Sequence, residues 1–169
     1  MLPTGRLSGV LQPIFSLRSA HDVGVGDFGA FDALFGWMQA AQQKLLMVLP
    51  LLPTAAGDSS PYSTRSAFGL NPLFIHLAWL PEGVTFTEAE QQAIATARAS
   101  ANVRYDLVFS VKNAALERAF AAFEGGGVSG RSREFDGWVK DNRVWLEGFA
   151  LYSALSEAFN RKPWWEWPR

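Results

Sequence analysis

The stretch "SGVLQPIFSLRSAHDVGVGDFGAFDALFGWMQAAQQKLLMVLPLL", Ser8 to Leu52, decides the fold. Its two ends, "SGVLQPIFSL" and "KLLMVLPLL", are apolar runs without polar alternation. Such runs predict strands buried on both faces, one near 8–17 with a break at Pro13 and one near 44–51. Between them Phe28, Phe31, Leu34, Phe35 and Met38 recur at three-and-four spacing, which predicts an amphipathic helix. Asp27 stands where an N-cap belongs. Strand, glycine-rich loop, helix and strand form a βαβ unit, and hence a parallel pair with its helix outside.

Outward from this unit the pattern changes. The connection 50–72 is long for a βα loop, and long loops in compact domains are usually functional or disordered. It opens into the apolar run "NPLFIHLAWLP" and then into helices. Thr87 and Glu90 have the spacing of a capping box ahead of an alanine-rich helix. A second helix follows from Tyr105 and stops at the glycines beginning at Gly125. "SREFDGWVKDN" reads as a short helix, and "RVWLEGFALYSALSEAF" as a last one with Trp145, Phe149, Tyr152, Leu155 and Phe159 on one side. "GGGVSG", Gly125 to Gly130, reads as a linker. Two parallel strands beside so many helices are unbalanced, because parallel strands need neighbours. The simplest expectation is an α/β class chain that supplies the opening portion of a larger fold. A mostly helical domain with strand-like apolar runs is the alternative.

Composition excludes several functions. The chain has 169 residues and a formal net charge of −1, with no basic stripe to attract nucleic acid. It has no cysteine, so a disulfide framework and a thiolate metal site are both impossible. "MLPTGRLSG" lacks a signal-like apolar core, and no run is long enough to span a membrane. These features lead to the expectation of a cytoplasmic protein with no membrane partner. Seven tryptophans and thirteen phenylalanines are unusual, and three of the tryptophans fall within "KPWWEWPR", Lys162 to Arg169. That segment needs something to pack against.

The candidate chemistry lies in the loop after the second strand. Asp58, Ser59, Ser60, Tyr62, Ser63 and Thr64 crowd together there. Loops at the carboxyl ends of parallel strands form ligand sites. A carbohydrate suits the composition: a tyrosine ring offers an apolar face, while carboxylates and hydroxyls meet sugar hydroxyls. The competing reading is an Asx-turn at Asp58 with Tyr62 in the core. Asp22 and Asp27 flank "VGVG" and could be acid/base groups, although capping accounts for Asp27. His21 and His76 lack metal-like spacing and read as structural hydrogen-bonding residues. "GVGDFG" matches a dinucleotide loop only loosely.

Five blocks of the sequence together resemble one family. They are "GVLQPIFSLRSAHDVGVGDFG", "VLPLLPT", "GDSSPYSTRSAFGLNPLFI", "YDLVFSVKNAALERAF" and "WLEGFALYSALSEAFNRKPWWEWP", in that order. The chain resembles the amino-terminal third of the 4-α-glucanotransferases (amylomaltases or disproportionating enzymes) of glycoside hydrolase family 77. The resemblance implies a (β/α)8 TIM barrel with helical insertions, incomplete in this chain because a barrel takes about 250 residues. It implies strands near 8–17 and 44–51, a groove loop over 50–72 and a helical insertion region over 85–162, all within an amino-terminal barrel portion spanning 1–169. The implied activity is transfer of α-1,4-glucan segments through a covalent glycosyl-enzyme, without metal or cofactor. The implied substrate-binding residues are Tyr62, Ser60 and Asp58. The family's catalytic carboxylates lie later in its members, so none is assigned here, and a missing carboxyl-terminal barrel portion is the expected partner alongside an α-1,4-glucan or maltooligosaccharide.

The departures are local. "SLR" at Ser16–Arg18 stands where many relatives read Ser-Leu-Pro, and Leu46-Met47 where many read Trp-Gln. Leu52 replaces a glycine, "GDSSPY" carries an extra serine, and Ala55–Ala56 replaces a tyrosine that makes a second glucan contact in some members. A non-catalytic maltooligosaccharide-binding or structural module on the same fold is the alternative function.

Overall fold

A computed structural model describes residues 5–54, 58–81, 83–126 and 131–168. The expectations for Met1–Thr4, for Ala55–Ala56 and for Gly127–Gly130 lie outside the described residues. The chain has an α/β fold with a partial, unclosed parallel sheet. Strand β1, Gly9–Leu11, pairs in parallel with β2, Leu45–Met47, in the register Gly9 to Leu45, Val10 to Leu46 and Leu11 to Met47. Helix α1, Phe31–Ala40, connects them, so the βαβ unit is present.

The strands are shorter than the apolar runs suggest. Pro13 has no N–H to give a ladder, and the chain leaves β1 into a single 3-10 turn at Ile14–Ser16. Ladder-type bonding continues only one residue further, where the Gln12 N–H donates to the Met47 carbonyl at 2.9 Å. Burial on both faces is also corrected. Leu11, Leu45 and Met47 are about half exposed, and only the central residue of each strand is partly covered. Two strands alone lack the flanking layers that bury a parallel sheet.

Instead the core lies beside the sheet. Ile14, Val23 and Val25 from the loop after β1 pack with Leu73, Phe74 and Leu77 and with Ala97, Val108 and Ala115. Ile14 sits in the 3-10 turn that follows β1, Val23 and Val25 in a glycine-rich loop, and the next three in single 3-10 turns at Pro72–Phe74 and Leu77–Trp79. The last three come from α2, Glu88–Ala99, and α3, Tyr105–Glu124. Helix α2 starts as its sequence dictates. The Thr87 hydroxyl accepts from the Glu90 N–H, and the Glu90 carboxylate accepts from the Thr87 N–H at 2.8 Å. Gly125 follows α3 and Gly126 takes φ 81°.

Helix α4 runs unbroken over Arg131–Ala158, where the sequence suggested two helices. Gly137 inside it costs helix propensity but imposes no break. Ser156 is its one buried residue among those described. Beyond α4, Asn160 and Arg161 adopt positive φ and turn the chain back. Trp167 then meets both Tyr152 and Phe159, with ring centroids 5.5 and 5.4 Å away, so part of the aromatic terminus packs on α4. Trp164 and Trp165 stay largely exposed. No helix among the described residues is long and apolar enough to cross a membrane.

Candidate functional site

The loop 50–72 leaves the carboxyl end of β2 and is pinned at several points. Thr54 and Thr64 form an isolated antiparallel bridge, and the Arg65 N–H donates to the Pro53 carbonyl at 2.8 Å. The Asn71 N–H donates to the Leu51 carbonyl at 2.8 Å, and the Asn71 side chain caps the 3-10 turn that follows. Two limbs therefore rise together from the end of β2 and present a tip around 58–63.

At that tip Asp58 forms the Asx-turn its position suggested: the Ser60 N–H donates to Oδ1 at 2.8 Å. That hydrogen bond and another from the Ser63 hydroxyl hold the Asp58 carboxyl below its ordinary value of 3.8, so it is an acceptor-only carboxylate at neutral pH. The Tyr62 N–H reaches the Ser60 hydroxyl at 3.4 Å. The Tyr62 side chain is not in the core; it stands 71% exposed. A phenol ring this exposed on a pinned loop has a free apolar face for a ligand.

Beside the loop lies a cavity of about 850 Å³ between its two limbs, α3 and α4. Asp58, Ser59 and Pro61 border it, whereas Ser60 and Tyr62 do not. Its far wall carries Tyr105, Phe109, Phe149 and Tyr152. The three residues singled out in the sequence thus share one turn but face different surroundings.

The carboxylates near "VGVG" serve the scaffold. Asp22 is buried and accepts from two of the three guanidinium nitrogens of Arg18, Nε at 3.0 Å and Nη2 at 2.9 Å. The Ser19 and Gly24 N–H groups also donate to it, at 2.7 and 2.8 Å. Burial alone would raise its pKa; Arg18 and the two N–H groups together outweigh that and leave it lowered from 3.8. Asp27 caps the 3-10 turn at Phe28–Ala30 through the Gly29 N–H, at 3.1 Å. It also joins a buried cluster that the sequence reading missed. His76 Nδ1 lies 2.8 Å from Asp27 Oδ1, and the Lys112 ammonium donates to Asp27 Oδ2 at 3.1 Å. Lys112 is fully buried and spends its other two donors on the Leu73 and Ile75 carbonyls, at 2.6 and 2.7 Å. Burial lowers its pKa, opposed by the charge and hydrogen bond of Asp27. Gly29 is required beneath this cluster, because a Cβ there would run into the His76 imidazole. The sequence carried one signal for it: Lys112 lies on the same helical stripe as Val108, Val111, Ala115 and Ala119.

A parallel βαβ start, a long pinned loop at the carboxyl end of its second strand and an exposed tyrosine at the tip make this an α/β segment with an unclosed parallel sheet. Residues 12–169 match the family model described as 4-alpha-glucanotransferase, and the chain belongs to that family, glycoside hydrolase family 77. It is 36% identical over 166 residues to the 4-alpha-glucanotransferase of Streptococcus pneumoniae, covering 96% of this chain and 31% of that protein. It is 34% identical over 163 residues to the 4-alpha-glucanotransferase of Thermus thermophilus, again covering 96% of this chain and 31% of the relative. The chain thus spans about a third of the length of these curated relatives. Among solved structures it superposes on the amylomaltase from Streptococcus agalactiae in complex with acarbose with a TM-score of 0.79 and 28% identity, covering 98% of this chain and 32% of that one. The partial sheet and its helices agree with an incomplete (β/α)8 barrel region.

Proposed function

We propose that the protein carrying this segment is a 4-α-glucanotransferase that acts on α-1,4-glucans by retaining double displacement. The observation that carries the reading is the family match over residues 12–169, which spans the loop that presents Tyr62. In this reading Tyr62 lays its ring against a glucose unit, and Asp58 and Ser60 hold the turn and offer acceptors to sugar hydroxyls. Residues 1–169 act as the amino-terminal barrel portion, with the groove loop at 50–72 and helical insertion at 85–162.

Retaining transfer needs a carboxylate nucleophile and a carboxylic acid about 5–5.5 Å apart across the scissile bond. The nucleophile attacks the anomeric carbon while the acid protonates the departing oxygen. A sugar hydroxyl, deprotonated by the same group, then displaces the enzyme, and two inversions give net retention. The reading assigns neither role to Asp22 or Asp27. Both are buried and engaged by Arg18 or by Lys112 and His76, so neither can approach a sugar without dismantling the scaffold.

The test is incubation of the full-length protein with maltotriose. Glucose and longer maltooligosaccharides with α-configured new linkages are the expected products, read by chromatography and proton NMR. Calorimetric binding of maltooligosaccharide without transfer would favour the non-catalytic binding module on the same fold. Neither binding nor transfer by folded protein would overturn both readings.

A further inference from the structure

Helix positions spaced four, three and four apart share one face. In α4 such a stripe is Trp145, Phe149, Tyr152 and Ser156, and the second limb of the groove loop is matched to it. Phe68 stacks on Trp145 with centroids 6.0 Å apart and planes at 17°. Gly69 lies against Phe149 so closely that a Cβ would come within 2.6 Å of the ring. Arg65 places its guanidinium 5.4 Å from the Tyr152 ring centroid and donates Nη2–H to the Ser156 hydroxyl at 2.6 Å. Ser156 is 1% exposed on a helix that otherwise stays open, so its buried hydroxyl is spent on this partner. The Arg65 backbone is meanwhile bonded to Pro53 on the first limb. Residue 65 is thus where both limbs and α4 are joined, three positions after the exposed Tyr62.

We propose that Arg65 is a positioning residue for the glucan-contacting loop, holding Tyr62 in its working place by clamping onto Ser156 and Tyr152 of α4. The proposal rests on the reading of Tyr62 as a glucan contact. An arginine is needed because one planar group must both lie over a ring and direct an N–H at a hydroxyl; an ammonium does these jobs less well. Without the clamp the loop populates positions in which Tyr62 misses the sugar. Apparent affinity then falls in proportion to the competent fraction. The loss belongs in KM, because the ring contact is made in ground state and transition state alike.

The experiment is maltotriose disproportionation by the full-length enzyme and its Arg65→Ala, Arg65→Lys, Ser156→Ala and Arg65→Ala/Ser156→Ala variants, with Tyr62→Ala alongside and thermal midpoints recorded. Arg65→Ala is expected to raise KM about tenfold, the size of one lost charge-assisted hydrogen bond, with kcat within about twofold. Arg65→Lys should recover little of this, and the double variant should be no worse than Arg65→Ala because the two residues act as one unit. An unchanged KM with a lowered thermal midpoint would make Arg65 merely structural and overturn the proposal; so would fully additive effects of Arg65→Ala and Ser156→Ala. If Tyr62→Ala raises KM and Arg65→Ala does not, positioning fails while the glucan reading stands. If Tyr62→Ala leaves an active enzyme unchanged, the glucan reading fails and this proposal falls with it.

Discussion

The surroundings of Lys112 and the face of the strand pair are opposites. Around Lys112 an ammonium, a carboxylate and an imidazole are buried together, and every buried side-chain polar atom among the described residues has a hydrogen-bond partner. On the strand pair Leu11, Leu45 and Met47 stand about half exposed, and Trp164 and Trp165 at the end of the chain are more exposed still. The first region is complete within residues 14–119. The second is an apolar surface of the kind found under another layer. The difference teaches that the segment organises its own interior around loops and helices, whereas the described residues leave its strand face without a cover.

The largest test of that contrast is on the isolated 1–169 chain. With two open strand edges and an apolar strand face it should self-associate at micromolar concentration, as seen by sedimentation, and show weak near-ultraviolet dichroism. A monomer with sharp cooperative unfolding would show that the strand face needs no cover.

The next largest effect is expected at Lys112. Lys112→Met in the full-length protein leaves Asp27 buried without its ammonium and two carbonyls without a donor. Loss of one partner from a buried ion pair costs about 3–5 kcal/mol. Denaturant unfolding checks it, and a loss below about 1 kcal/mol would mean that the cluster is solvated and that the contrast between the two regions is weaker than drawn.

A smaller effect, with a pH signature, is expected at Asp22. Its native pKa lies below the ordinary 3.8, so the stability it contributes is present above 3.8 and lost as pH falls through the lowered native value. Asp22→Asn should cost about 1–3 kcal/mol near neutral pH, the worth of hydrogen bonds to a charged group, and flatten the acid limb of stability. A parallel downward shift at every pH would assign the loss to packing and not to charge.

Much of the scaffold was legible because its signals are local. The Thr87–Glu90 box, the Asp27 cap and the parallel βαβ order all follow from short spacings. The strand lengths were not legible, because an apolar run records burial, and Ile14 is buried in a 3-10 turn rather than on a strand. The continuous α4 was misjudged at Asp141–Asn142, residues that weaken a helix without ending one. Within the candidate site the Asp58 turn is a two-residue pattern and could be read directly. The Arg65–Ser156 bond joins residues 91 positions apart, and the Lys112–Asp27 pair joins residues 85 apart. No periodicity reports such partners; a lysine on an apolar stripe says only that a partner exists.

The central claim is that the pinned loop works through Tyr62, an exposed ring that the fold itself does not need. The most direct measurement is kcat/KM for maltotriose disproportionation by full-length Tyr62→Ala, with its thermal midpoint. Loss of one ring face against a sugar is worth about 1–3 kcal/mol, so kcat/KM should fall roughly ten- to hundred-fold while the midpoint stays within about 1 °C. Unchanged kinetics with a clearly lowered midpoint would return Tyr62 to the scaffold and contradict the account.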